Sequence, residues 1–215
     1  MLTTTAVIVP FGRPQGEAGE IREGVWQKLR AEWERTGCNL IVSADPQFRV
    51  RGKFSVSRAI NSAVKHAPPE FDRFVCFGAD MFPSLPTVEW AAAELDTEPW
   101  TLLFDRGASV SEAGTKGWVV AGHEFDHAEP EVFQSPCVGP IAFTRQAFER
   151  VGGFDERYQG WAYEDVDFWY RLQRDTPRTK PQAYPGTALI QLWHPQDHHD
   201  LTSENPNVRL FSATW

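Results

Sequence analysis

Residues 152–167 read Gly-Gly-Phe-Asp-Glu-Arg-Tyr-Gln-Gly-Trp-Ala-Tyr-Glu-Asp-Val-Asp and deliver a cluster of carboxylates through a turn rich in glycine and aromatic rings. Glycines allow backbone conformations that a β-carbon forbids. Such a turn is worth its cost when it holds a ligand. Gly160, Trp161 and Tyr163 are the candidate sugar contacts, because flat apolar rings beside carboxylates suit a sugar next to a base. A carboxylate within hydrogen-bond reach of an attacking hydroxyl can act as general base, and Asp165 and Glu164 are the candidate catalytic pair. Partial burial would raise the pKa of Asp165 and a helix N-terminus would lower it; the sequence leaves that balance open. Paired carboxylates also serve glycoside hydrolysis. Adjacent acids on a helix diverge by about 100°, however, and so do not face each other across a glycosidic bond.

The acids need an element to hold them, and the spacing supplies one. Glu164 to about Arg174 reads as helix, with Asp165, Phe168, Trp169 and Leu172 at i, i+3, i+4 and i+7. Asp165 then heads the buried stripe and Glu164 lies to one side. Asp167 can pair with Arg171 one turn on, an interaction of a few tenths of a kcal/mol. Acids in a first helical turn also complement the macrodipole without any further role, and for Asp167 that plain reading is adopted.

Strand and helix signals alternate through the first half, which predicts an α/β sandwich on a largely parallel sheet. The expected order is a strand at Ala6–Val9, a helix over Glu17–Arg35, a strand at Leu40–Val42 and a helix over Phe54–His66. A strand at Phe74–Phe77, a helix over Leu85–Leu95 and a strand at Thr101–Phe104 follow. Between Asp105 and Pro136 the pattern loosens, with Trp118-Val119-Val120 as a short strand, and this stretch is read as shaped by substrate. Val138–Phe143 reads as strand, Arg145–Arg150 as short helix and Ala188–Ile190 as the last strand. The polar tail after Asp200 either orders on binding or packs through Leu210, Phe211 and Trp215.

The segment Gly-Gly-Phe-Asp-Glu, then Gly-Trp, then Glu-Asp-Val-Asp resembles the C-terminal motif of GT-A glycosyltransferases of the β-1,4-galactosyltransferase and chondroitin-polymerase kind. The resemblance implies a GT-A sandwich, a Rossmann-like fold with a mostly parallel mixed central sheet. It implies Asp165 as general base and Glu164 as a sugar contact, with inversion favoured by aspartate where retaining relatives carry asparagine. It implies a nucleotide-diphosphate sugar as donor, most naturally a UDP-sugar, and a divalent metal. The family carries Asp-x-Asp after the third strand; here the segment is Gly78-Ala79-Asp80, so Asp80 is the metal ligand and the first aspartate is replaced. His194, in Trp193-His194-Pro195, matches the family's metal-binding histidine, and Gln191 stands where relatives carry another contacting side chain. Imidazole with carboxylate and phosphate oxygens favours Mn²⁺ over Mg²⁺.

Further candidates for the nucleotide are Pro10, Phe11 and Arg13, which resemble a Pro-Phe-Arg loop after the first strand. Asp45 after the second strand could meet uracil or ribose, and Arg58 and Asn61 resemble an Arg-x-x-Asn pattern near the donor. The acceptor is left open between a glycan, a protein side chain and a modified base. A catalytically degenerate sugar-binding protein is the alternative, prompted by the loss of the first aspartate.

Composition bounds these readings. The 215 residues suit one domain, divided into a nucleotide-binding half at 1–104 and an acceptor half at 105–215. No apolar run approaches the ~20 residues that cross a bilayer, and the N-terminus does not read as a signal peptide. A cytoplasmic enzyme of bacterial or phage origin is expected. Cys38, Cys76 and Cys137 lack metal-ligand spacing, and no disulfide is expected. A net charge of −8 disfavours nucleic acid as a general partner. Nine tryptophans are compatible with carbohydrate stacking and with packing alike.

Overall fold

The structure is a computed structural model that describes residues 2–13, 16–44, 48–50, 52–121, 131–160, 162–195 and 201–215. A six-stranded sheet runs in the order β2-β1-β5-β7-β6-β8, formed by β1 (Thr5–Phe11), β2 (Asn39–Ala44), β5 (Arg73–Cys76), β6 (Trp100–Ser109), β7 (Glu131–Thr144) and β8 (Leu189–Gln191). β1 pairs in parallel with β2 and β5, and β6 with β8, whereas β7 runs antiparallel between β5 and β6. A two-stranded hairpin, β3 (Arg49–Val50) and β4 (Lys53–Phe54), stands apart. The helices are α1 (Gly16–Thr36), α2 (Val56–His66), α3 (Leu85–Glu94), α4 (Glu112–Ala121), α5 (Arg145–Val151), α6 (Glu164–Asp175) and α7 (Pro206–Thr214).

Strand β1 shows why the sheet lies in the middle. Its side chains alternate between faces, and both faces are covered: Val7 and Val9 join Trp26, Leu29 and Trp33 of α1, while Ala6 and Ile8 join Ile60 of α2, Phe143 of β7 and Phe168 of α6. A strand buried on both sides reads as a continuous apolar run, as Ala6–Val9 does. The second face is aromatic. Phe154 stacks on Phe168 with centroids 4.0 Å apart, and Phe143 stacks on Phe148 at 5.4 Å. That cluster anchors the acid-bearing helix α6 to the sheet.

Two expectations are corrected and a third, left open between two readings, is decided. Trp118-Val119-Val120 is not a strand but the last part of α4. Trp118 is buried with its ring edge-on to Phe82 at 5.8 Å, and Lys28 of α1 lies 4.8 Å above it, so packing on α1 overrides the β-branched pair. Phe54 does not open a helix; it ends β4, and Ser55 caps α2 by accepting from the Arg58 amide at 3.3 Å. The tail forms α7 and packs on the turn before α6, which supports the second of its two readings. Among the described residues no helix is long and apolar enough to cross a membrane.

Candidate active site

Three chain segments meet beyond the carboxyl ends of β1 and β5. In open α/β sheets that edge is where ligands bind. Asp80 follows β5, and β8 brings His194 to it: the Nε2 of His194 is 3.4 Å from Asp80 Oδ2, and Gln191 Nε2 donates to the same oxygen at 2.7 Å. The backbone ties these segments together, because the Leu192 amide donates to the Asp80 carbonyl at 2.7 Å. Burial alone would raise the Asp80 carboxyl, but the hydrogen bond and charge of His194, the charge of Arg22 and the Gln191 hydrogen bond outweigh it and hold the pKa at about 2.

The histidine is oriented by its other nitrogen, Nδ1, which lies 2.9 Å from the Pro195 carbonyl. A proton on Nδ1 would satisfy that carbonyl and turn the Nε2 lone pair toward Asp80. With Nε2 protonated, the 3.4 Å contact is the hydrogen bond that lowers Asp80; with the proton on Nδ1 alone, Nε2 and Asp80 Oδ2 are two acceptors that a divalent ion would satisfy. The donor set therefore fits a divalent metal. Among the described residues no group of three or more His, Cys, Asp or Glu side chains converges.

Gly78, in place of the family's first aspartate, is explained by space. A β-carbon there would lie 2.6 Å from Asp80 Oδ1 and 3.1 Å from Met81 Cε. The Asp80 carboxylate already fills the room that a side chain at 78 would need.

The acid pair enters from the other side. Gly139 of β7 links the two halves of the site, since a β-carbon placed on it would meet Asp165 Oδ2 at 3.4 Å and Met81 Cε at 3.9 Å. Residues 80, 165 and 194 thus belong to one neighbourhood. The turn that delivers Asp165 is held in unusual backbone: Gly160 has φ 77°, Ala162 has φ 103° and Tyr163 has φ 69°. For residues with a β-carbon, such conformations cost about 1–3 kcal/mol each and persist only where the surroundings impose them.

Those surroundings are visible. The side-chain amide of Asn61 accepts from the Phe154 amide at 2.8 Å and donates to the Phe154 carbonyl at 2.9 Å. Arg171 donates to the carbonyls of Val151 and Gly153 at 2.8 and 2.6 Å, and pairs with Asp167 at 2.8 Å. Asn207 of α7 accepts from the Gln159 amide at 3.1 Å and donates to its carbonyl at 3.2 Å.

On α6 the buried residues are Glu164, Asp167, Phe168 and Leu172, so Glu164 rather than Asp165 heads the buried face and Asp165 is partly exposed. Burial, then the charge of Asp165, raises the Glu164 pKa to about 8. Its Oε2 is buried without a hydrogen-bond partner among the described residues. The pKa of Asp165 is also raised, by burial, against the opposing backbone hydrogen bonds of Val166 and its own residue.

Several expected contacts are placed differently. The Asn61 amide is committed to the turn at Phe154, and Arg58 pairs with Glu156 of that turn at 3.4 Å, so both brace the acid loop. The Phe11 side chain is core, stacked on Trp26 at 5.5 Å. Arg13 lies 3.7 Å from Glu23, and Pro10 is a half-buried residue of β1. One face of Tyr163 is covered by Phe211 at 4.6 Å, an internal stack where a sugar was expected. Asp167 is no bland surface acid: it is almost fully buried, bound by Arg171 and by Trp215 Nε1 at 2.9 Å. Trp161 and Asp45 lie outside the described residues. A cavity of about 500 Å³ lined by Glu98, Thr144, Arg150 and Asp175 sits at the opposite, amino end of β5, far from these groups.

Sheet order, the ligand edge and the acid-bearing helix define a GT-A glycosyltransferase fold, and the comparisons agree. The catalytic domain of Drosophila β-1,4-galactosyltransferase 7, in complex with xylobiose, superposes with a TM-score of 0.55 at 17% identity, covering 95% of this chain and 79% of that one. Glucosyl-3-phosphoglycerate synthase from Mycobacterium tuberculosis, bound to Mn²⁺, UDP and phosphoglyceric acid, gives 0.54 at 12% identity, covering 98% and 76%. Within that class, residues 122–186, which include the acidic turn, match the family model described as the N-terminal domain of galactosyltransferase. Validoxylamine A glucosyltransferase from Streptomyces hygroscopicus subsp. jinggangensis is 33% identical over 64 residues, 30% of this chain and only 14% of the relative.

Proposed function

We propose that this chain is a glycosyltransferase that moves a sugar from a nucleotide-diphosphate donor, a UDP-sugar, to an acceptor hydroxyl with inversion. The observation that carries this reading is that the Asp165 carboxylate and Met81, the residue after Asp80, approach Gly139 from two sides, while Asp80 is itself in contact with His194. Asp80 and His194 would hold a divalent ion, Mn²⁺ by the chemistry of the pair. When bound, such an ion offsets charge that develops on the departing diphosphate.

Asp165 removes the acceptor proton as the hydroxyl attacks. Its raised pKa suits that task, because a base is more effective as its pKa approaches the working pH. Glu164, with a pKa of about 8 and an unpartnered Oε2, is protonated at neutral pH and can donate a hydrogen bond to a sugar oxygen. The two neighbouring acids therefore play different parts, Asp165 taking a proton and Glu164 donating a hydrogen bond. The strands and helices of 1–104 would receive the nucleotide and those of 105–215 the acceptor, a glycan, a protein side chain or a modified base.

The test is a panel of UDP-sugars with Mn²⁺ and soluble mono- and disaccharide acceptors, following release of UDP and formation of glycosylated product. Asp165→Asn should keep its affinity for UDP and lose transfer by roughly 10²–10⁴-fold. Transfer at the wild-type rate in that variant would remove Asp165 from the mechanism.

A further inference from the structure

Arg22 stands on the second turn of α1, on the face that also carries the buried Gly19, Val25 and Trp26. Helix α1 follows β1, so its first turns lie at the carboxyl end of that strand, and Asp80 follows the parallel neighbour β5. The Nε of Arg22 is buried and meets no acceptor among the described residues. A guanidinium donor in that position calls for a partner that the described residues do not supply.

The two arginines that the sequence offered for the nucleotide donor differ in this respect. Arg58 lies 3.4 Å from Glu156 with a side chain 45% exposed, and Arg13 lies 3.7 Å from Glu23 with 53% exposed. Both have acidic partners on the surface. Arg22 instead stands in the first turns of a helix that begins beyond the carboxyl end of β1, with its Nε buried and without an acceptor among the described residues, while Asp80 spends its own oxygen on Gln191 and His194.

We infer that Arg22 binds the diphosphate of the nucleotide donor, with its buried Nε donating to a phosphate oxygen beside the Asp80–His194 pair. The inference rests on the donor reading above. A planar guanidinium suits this role because its fork of donors matches phosphate oxygens, and a charge-assisted hydrogen bond is stronger than a neutral one. Asp80 and Arg22 would then serve opposite charges of one ligand, the carboxylate taking the metal ion and the guanidinium the phosphate.

Calorimetric titration of UDP and of uridine into wild type, Arg22→Gln and Arg22→Lys, each with EDTA and with Mn²⁺, tests it. Arg22→Gln should weaken UDP roughly ten- to a hundredfold, leave uridine unchanged and leave Mn²⁺ affinity without nucleotide undiminished. Arg22→Lys keeps the charge without the fork and should fall between, which also carries the test if the glutamine variant fails to fold. Equal UDP affinity in all three proteins would overturn the role of Arg22 while leaving the donor reading intact. A parallel loss for UDP and uridine, or a drop in Mn²⁺ affinity, would reassign Arg22 to shaping Asp80. No UDP binding by wild type would sink the donor reading itself.

Discussion

At the scale of single residues, the glycine at position 78 is a matter of packing. The Asp80 carboxylate occupies the volume above residue 78, pinned by Gln191 and facing His194. Gly78→Ala would press a β-carbon against Asp80 Oδ1 at 2.6 Å and force the carboxylate out of that arrangement. Mn²⁺ affinity, read by calorimetry or by the loss of the free-ion EPR signal, should fall roughly tenfold, the scale of disturbing groups that orient a ligand. Unchanged affinity would mean that Asp80 relaxes freely and that its present position is incidental. The family resemblance singled out Asp80, His194 and Asp165 as candidates, and the contact between Asp80 and His194 is what the structure adds to it. The grip of Gln191 on Asp80 was not legible in the sequence, and neither was Arg22, since helical periodicity assigns a residue to a face but does not say what that face meets.

At the scale of elements, α7 is the piece that holds the acid turn in its strained backbone. Asn207, 1% exposed, pairs with both the amide and the carbonyl of Gln159; Phe211 covers Tyr163; and the Trp215 indole binds Asp167. Asn207→Ala leaves two backbone groups of Gln159 without their partner and should destabilise the protein by about 1–3 kcal/mol, measured by urea unfolding. Amide exchange at Gln159 and Gly160 should speed up more than exchange in β1. Uniform change across the chain would argue that α7 is not specifically tied to the turn. The sequence offered Leu210, Phe211 and Trp215 as a packing arm but gave no means of finding its partner. The opposite failure occurred at Trp118-Val119-Val120, where β-branched residues suggested a strand and contact with α1 decided for helix. Strands β6 and β7 extend beyond their apolar stretches because they pair with each other out to Ser109 and Glu131, and cross-strand pairing has no local signature.

At the scale of the whole molecule, the alternation of elements in the first half was readable because each strand and helix carries its own period. The sheet order, in which β7 runs antiparallel between β5 and β6, depends on pairings that no single segment encodes. Folding around this sheet also buries an acid pair, and that burial ties stability to pH. Glu164 titrates from its ordinary value of 4.5 in the unfolded chain to about 8 in the folded one, raised by burial and by Asp165. Between those values the folded protein keeps a proton that the unfolded chain has released, so raising the pH across the window favours unfolding. The raised Asp165 acts in the same direction from its own ordinary value upward. Asp80 acts oppositely: with a pKa lowered to about 2 despite burial, by His194, Arg22 and Gln191, it stabilises the fold above its ordinary 3.8, and that contribution is lost as pH falls toward 2. The metal-free protein should therefore show a urea midpoint that declines as pH rises from about 5 to about 8. Glu164→Gln, which carries no titrating proton, should flatten most of that decline, while a wild-type midpoint independent of pH would mean that Glu164 is not held neutral by the fold.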